Sequence, residues 1–239
     1  MRQPKMTRGI KIVITILCCI IILGVAAFVI QRASSNSYGG AQITQDHRNE
    51  EMPQSSVEDA FIWGQIEGNY QNEFGSQSDA EDAIVGIHFT VSRDELARVT
   101  EVQMMIDEEN AAEIAQNILI EKYALYYQAK EAGVLVTDEY LDELIDEQIQ
   151  IFEGVPDNKE YEAFLDGIGM SNEEYWLSRK DELRITESIA AWKQLKRDEF
   201  IDEHNYHENP PENLSELWET HYQELVADII EQEDVCIIE

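Results

Sequence analysis

Acidic residues are missing from the first 45 positions of this 239-residue chain, and basic ones are scarce beyond them. Residues 1–45 hold five bases, Arg2, Lys5, Arg8, Lys11 and Arg32; the remainder sets 12 bases against all 49 acids. Nucleic-acid binding requires clustered Lys and Arg to neutralise phosphates, so that function class is excluded for the acidic part. The same shortage argues against docking of the body onto anionic lipid. Cysteine is equally rare. Of three, Cys18 and Cys19 fall in an apolar run and Cys236 stands alone in the body, so no internal disulfide can form there. Stability must come from a core, and a hydrophobic content of 44% is ordinary for a folded chain. No G-x-S-x-G, P-loop or dinucleotide fingerprint occurs, nor EF-hand spacing. No catalytic residue, cofactor or small-molecule substrate is therefore expected. No heptad pattern or internal repeat is evident.

What is present begins with an anchor. Ile12 to Ile30 reads IVITILCCIIILGVAAFVI, 19 residues without a charge. At about 1.5 Å per residue such a helix, with Ile10 and a little tilt, spans roughly 30 Å of hydrocarbon. Four bases upstream, Arg2 to Lys11, place residues 1–11 in the cytoplasm by the positive-inside rule and the rest outside it. A cleaved signal peptide is the rival, with small residues at Gly24-Val25-Ala26-Ala27, but the apolar run continues past them through Ile30. An uncleaved single-pass signal-anchor at the cell membrane is the expectation. Leu17 precedes Cys18 where lipidation wants a small residue, so the cysteine pair reads as apolar filler.

Residues 31–83 read as a polar linker. The stretch 33–56, ASSNSYGGAQITQDHRNEEMPQSS, is rich in Ser, Gln, Asn and Gly. Inside the linker, 57–70 carries Phe61, Ile62, Trp63 and Ile66, a cluster suited to a short helix against the body or against the membrane surface.

From residue 84 the chain is helical with clear punctuation. Ile84–Val91 is β-rich, and Ser92-Arg93-Asp94-Glu95 has capping-box spacing for a helix. Its expected stripe is Leu96, Val99, Val102 or Gln103, then Met105 and Ile106. A second helix ends near Ala132 at Gly133, a third starts at Thr137 and ends at Gly154, and a fourth ends at Gly169. Ser171-Asn172-Glu173-Glu174 opens a long helix over about 172–202. His204–Asn213 holds Pro210-Pro211 and must be a loop; a last helix covers about 214–232 before the strand-like Val235-Cys236-Ile237-Ile238.

Three stretches carry a family likeness: FTVSRDEL at the first helix, AKEAGVLVTDEYLDELI from Ala129 to Ile145, and YEAFLDGIGMSNEEYWLSRKDELRI from Tyr161 to Ile185. Over about residues 84–239 the order resembles the N-terminal chaperone domain of the SurA/PrsA family of bacterial extracytoplasmic folding factors. The resemblance implies a mainly α domain in which a short strand pair joins the N- and C-terminal ends. Many members carry a parvulin-type prolyl isomerase domain between the long helix and the final one. Here that interval is only HNYHENPPEN, so isomerase activity is not carried over.

Candidate binding side chains are Met104, Met105, Tyr126, Tyr127, Tyr175, Trp176 and Trp192, with Tyr123 beside them, since Met and aromatic groups suit adaptable apolar surfaces. Filling the helical core is the competing use of each. Two neighbours cannot both face inward on one helix, so one of Met104/Met105 and one of Tyr126/Tyr127 should point away from the core. His204, His207 and His221, near Glu203 and Glu208, read as solvated loop histidines rather than metal ligands. The expected function is ATP-independent binding of unfolded or exported polypeptides by a membrane-anchored chaperone. The alternative is a tethered adaptor or structural subunit docking one folded partner.

Overall fold

The computed structural model describes residues 55–74, 81–106, 108–155 and 158–238. The expected anchor, 12–30, its flank 1–11 and most of the polar linker lie outside them. Among the described residues no helix is long and apolar enough to cross a membrane.

The described chain runs α1 (Ser55–Phe74), β1 (Asp82–Val85), β2 (Thr90–Ser92), α2 (Arg93–Met104) and α3 (Ala111–Glu131). It continues through α4 (Asp138–Glu153), α5 (Lys159–Ile168), α6 (Asn172–Ser178), α7 (Lys180–Glu203), α8 (Leu214–Gln232) and β3 (Cys236–Ile237). Helix starts follow side-chain caps. Ser92 Oγ accepts the Glu95 N–H at 3.2 Å and Thr137 Oγ1 that of Tyr140 at 3.2 Å. Ser171 and Glu174 close a full capping box. Each of these caps satisfies an amide donor the first turn would otherwise leave open, and only the Ser171–Glu174 pair is reciprocal. Gly169 ends α5 at φ 75°, a left-handed value that a side chain would resist.

The sheet joins the two ends of the domain. Its order is β2-β1-β3, both pairings antiparallel, with Ile84 opposite Ile237 and Val85 opposite Cys236. The expected strand pair is therefore a three-stranded sheet. Ile84–Val91 is not one strand: Gly86 N–H donates to the Phe89 carbonyl at 2.9 Å, folding it into a hairpin.

The main core forms where α3, α7 and α8 meet, around Ala124, Leu125, Trp192, Phe200, Trp218 and Tyr222. A second aromatic cluster joins α1, α4, α5 and α6. Ring centroids of Trp63 and Phe164 are 5.3 Å apart, those of Phe152 and Tyr161 4.2 Å, and those of Phe164 and Tyr175 5.2 Å.

Two expectations about boundaries change. The linker drawn over 31–83 contains the 20-residue helix α1, which packs on α5 rather than standing free. Gly64 makes that approach possible, because a Cβ there would lie 2.1 Å from the Phe164 carbonyl oxygen. The helix expected over 172–202 is interrupted at Arg179. Ser178 Oγ donates to the Tyr175 carbonyl at 2.7 Å, a local bond that competes with the helical ladder and bends it.

Candidate functional site

An open cleft of about 530 Å³ lies between α2 and the β1–β3 edge, with Gln116 of α3 at its border. Leu96, Ala97, Thr100 and Met104 project from α2, Ala83 comes from β1, Ile237 from β3 and Ile238 from the residue after it. The spacing 96, 100, 104 is one helical face, so the alignment follows from α-helix periodicity. Met104 is 52% exposed, Ile237 47% and Ile238 41%. Large apolar side chains left open on two facing elements form a surface that gains by being covered.

Of the side chains singled out in the sequence, Met104 lines this cleft and Met105 is exposed just beyond it. Both methionines are open because α2 stops at Met104; its buried stripe is Val99 and Gln103, and the expected continuation through Met105 and Ile106 does not form. Tyr126 and Tyr127 are both half-buried. Tyr127 stacks on His88 with centroids 3.9 Å apart, and thus braces the hairpin turn. Tyr175, Trp176 and Trp192 are buried in the two aromatic cores, at 6%, 1% and 1% exposure, and do not line an open surface. Alternation along a helix cannot place them outside, because α6 is packed on more than one side and α7 is enclosed by α3 and α8. The structure brings together no groove from all seven. It opens one around a single residue of that set, with Ile237 and Ile238 as walls that sequence pattern had marked only as a strand.

The histidines are engaged separately. His204 Nδ1–H donates to the Phe200 carbonyl at 2.8 Å, His207 Nε2–H to Asp202 at 2.5 Å, and His221 stacks on Phe200 at 4.8 Å. Among the described residues, no group of three His, Cys, Asp or Glu side chains is placed to hold a metal ion.

Beside the cleft lies a charge network that no short-range pattern announces. Glu67 of α1, 6% exposed, accepts from Arg98 Nη1 of α2 at 2.7 Å and faces Arg179 Nη1 at 3.5 Å. Arg179 also pairs with Glu182, and Lys122 of α3 with Glu95 of α2 at 3.1 Å. Tyr123 donates its hydroxyl to Glu95 at 2.7 Å. Burial alone would raise the Glu182 carboxyl. The Arg179, Lys122 and Arg98 charges outweigh it and hold that group down at about 2. Four helices, α1, α2, α3 and α7, and the α6–α7 junction at Arg179 are thus tied together, with only the Arg179–Glu182 spacing visible locally. A second clasp is Glu233, 2% exposed, whose carboxylate accepts both the His88 backbone N–H and His88 Nδ1–H at 3.0 Å. It fixes the hairpin to the end of α8.

Compared with known families, residues 89–189 match the SurA-like N-terminal domain. The likeness is to that domain and covers 101 of the 239 residues. No curated protein and no solved structure matches it. The SurA-like match begins at the hairpin turn and ends within α7, so it includes α2 and Gln116 of the cleft. Ala83 and Ile237 come from strands outside the matched stretch, Ile238 follows β3, and the sheet register carries them to α2. The α1 helix also precedes the SurA-like match, and it is joined to it through Glu67.

Proposed function

We propose that this protein is a membrane-anchored, extracytoplasmic chaperone that holds unfolded or exported polypeptides without ATP. The observation that carries the reading is an open apolar cleft on α2, a helix of the SurA-like stretch, walled by Met104 from within that stretch and by Ile237 and Ile238 from outside it. Methionine's flexible, polarisable side chain adapts to differing apolar partners, which suits transient holding of many sequences. Aromatic cores and the buried ion network keep the scaffold rigid while the cleft wall stays adaptable. The apolar run 12–30 with its basic flank supports the anchor, and an uncleaved anchor would keep the cleft near the site where exported chains emerge. The high negative charge keeps chaperone and bound client dispersed.

The reading assigns no prolyl isomerase step. Only ten residues, 204–213, join α7 to α8. The purified full chain should suppress aggregation of an unfolded secreted protein, and Met104→Asp should weaken suppression while leaving the helical circular dichroism intact. No suppression at molar excess rejects the chaperone reading. A protease-coupled assay on a proline peptide should show no rate above the uncatalysed one.

A further inference from the structure

The lining of the cleft holds one base, Arg93, and one acid, Glu101; beyond Arg98 the charge on the α2 side is one-sided. From Val99 to Glu121 the chain has no Lys or Arg. Glu101 lines the cleft three residues before Met104, hence on the same helical face. Glu108 and Glu109 follow in the exposed turn beyond Met105 and Ile106. The nearest bases are already compensated: Arg93 by Glu81 at 3.3 Å, Arg98 by Glu67 at 2.7 Å and Lys122 by Glu95 at 3.1 Å. None of Glu101, Glu108 and Glu109 forms an ion pair with a described residue. An apolar floor with an uncompensated acidic rim attracts one kind of partner and repels its opposite.

We propose that this cleft takes apolar polypeptide segments flanked by Lys or Arg and rejects the same segments flanked by Asp or Glu. The proposal rests on the client-holding reading above and names the class of client. The apolar stretch covers Met104, Ile237 and Ile238, and the flanking cations meet Glu101 on one side and Glu108–Glu109 beyond the α2 terminus. Rim charges of this type act through long-range attraction, so they select clients mainly during encounter and lose effect in salt.

The test uses the full chain and two fluorescent peptides with one apolar core, flanked by Lys pairs or by Glu pairs. The Lys-flanked peptide should bind about tenfold more tightly at low salt, with the difference vanishing near about 1 M salt. Neutralising the rim by Glu101→Gln, Glu108→Gln and Glu109→Gln together should collapse the preference. The control, Glu143→Gln with Asp146→Asn and Glu147→Gln, removes the same number of charges from the exposed face of α4 and should retain it. Equal binding of the two peptides overturns the proposal and leaves the chaperone reading standing. A preference reduced equally by both variant sets also overturns it, since net charge rather than the rim would then be selecting. Binding of neither peptide overturns both readings.

Discussion

At the scale of single residues, neighbours on α2 have opposite fates. Met104 is open in the cleft, while Gln103 is wholly buried and neither atom of its amide has a hydrogen-bond partner among the described residues. An amide taken out of water without a partner costs about 1–3 kcal/mol. Leucine has similar volume and no such debt. Gln103→Leu should therefore raise the unfolding free energy by about 1 kcal/mol, read as a higher urea midpoint at unchanged slope. A lower midpoint would mean that the amide is bonded in solution. The exposed methionine next to it is not a target for the same change, because the proposed function uses its openness.

At the scale of elements, the α1–α5 contact turns on backbone proximity. Gly64→Ala adds helix propensity worth about 1 kcal/mol. It also drives a methyl group to 2.1 Å from the Phe164 carbonyl oxygen, and Gly167 makes a similar demand against the Phe61 carbonyl at 2.2 Å. Overpacking against backbone costs about 1–3 kcal/mol or more because no rotamer can relieve it. The clash should win, so Gly64→Ala destabilises, and hydrogen exchange in α1 should speed up more than in α8. Unchanged α1 protection would contradict this packing. The same contact shows what sequence pattern can and cannot reveal. Helix ends were legible because caps and stop glycines act within four residues: Ser92, Thr137, Ser171 and Gly169 each mark the end their spacing implies, although Glu95 turns to Lys122 and Tyr123 instead of closing a box on Ser92, and α8 spans 214–232 as read. The return of the terminal strand to Ile84 was legible as well, from its apolar run and from the family order. The docking of α1, the hairpin within 84–91 and the break at Arg179 depend on partners far along the chain or on a single hydroxyl. Of the site, one of Met104 and Met105 could be read as turned away from the core, whereas both are exposed and Met104 lines the cleft. Burial of Trp176 and Trp192 is decided by which helices enclose them, which helical periodicity does not encode.

At the scale of the whole molecule, two electrostatic effects of opposite sign compete as pH falls. The 49 acids repel one another, and protonating exposed ones relieves that strain. The network behind the cleft responds the other way. Glu182 titrates at about 2 in the folded chain against the usual 4.5, so its charged form is preferred by the fold. Its contribution is fully present above about pH 4.5 and is lost as pH drops through about 2; by linkage it amounts to roughly 3 kcal/mol at most. Glu182→Gln removes the carboxylate and leaves Arg179 short of a partner, so the variant should be less stable by up to that amount at pH 7. The gap between variant and parent should then close between about pH 4.5 and pH 2, where the parent protonates too. Urea unfolding of both proteins across that range provides the measurement. A gap that stays constant with pH would show that Glu182 stabilises by packing alone. A closing gap would establish that the chain, whose surface charge alone would favour acid, is limited in acid by the ion network joining its helices. The cleft depends on α2 and α3 of that network, so under the proposed chaperone function client holding should fail over the same pH interval.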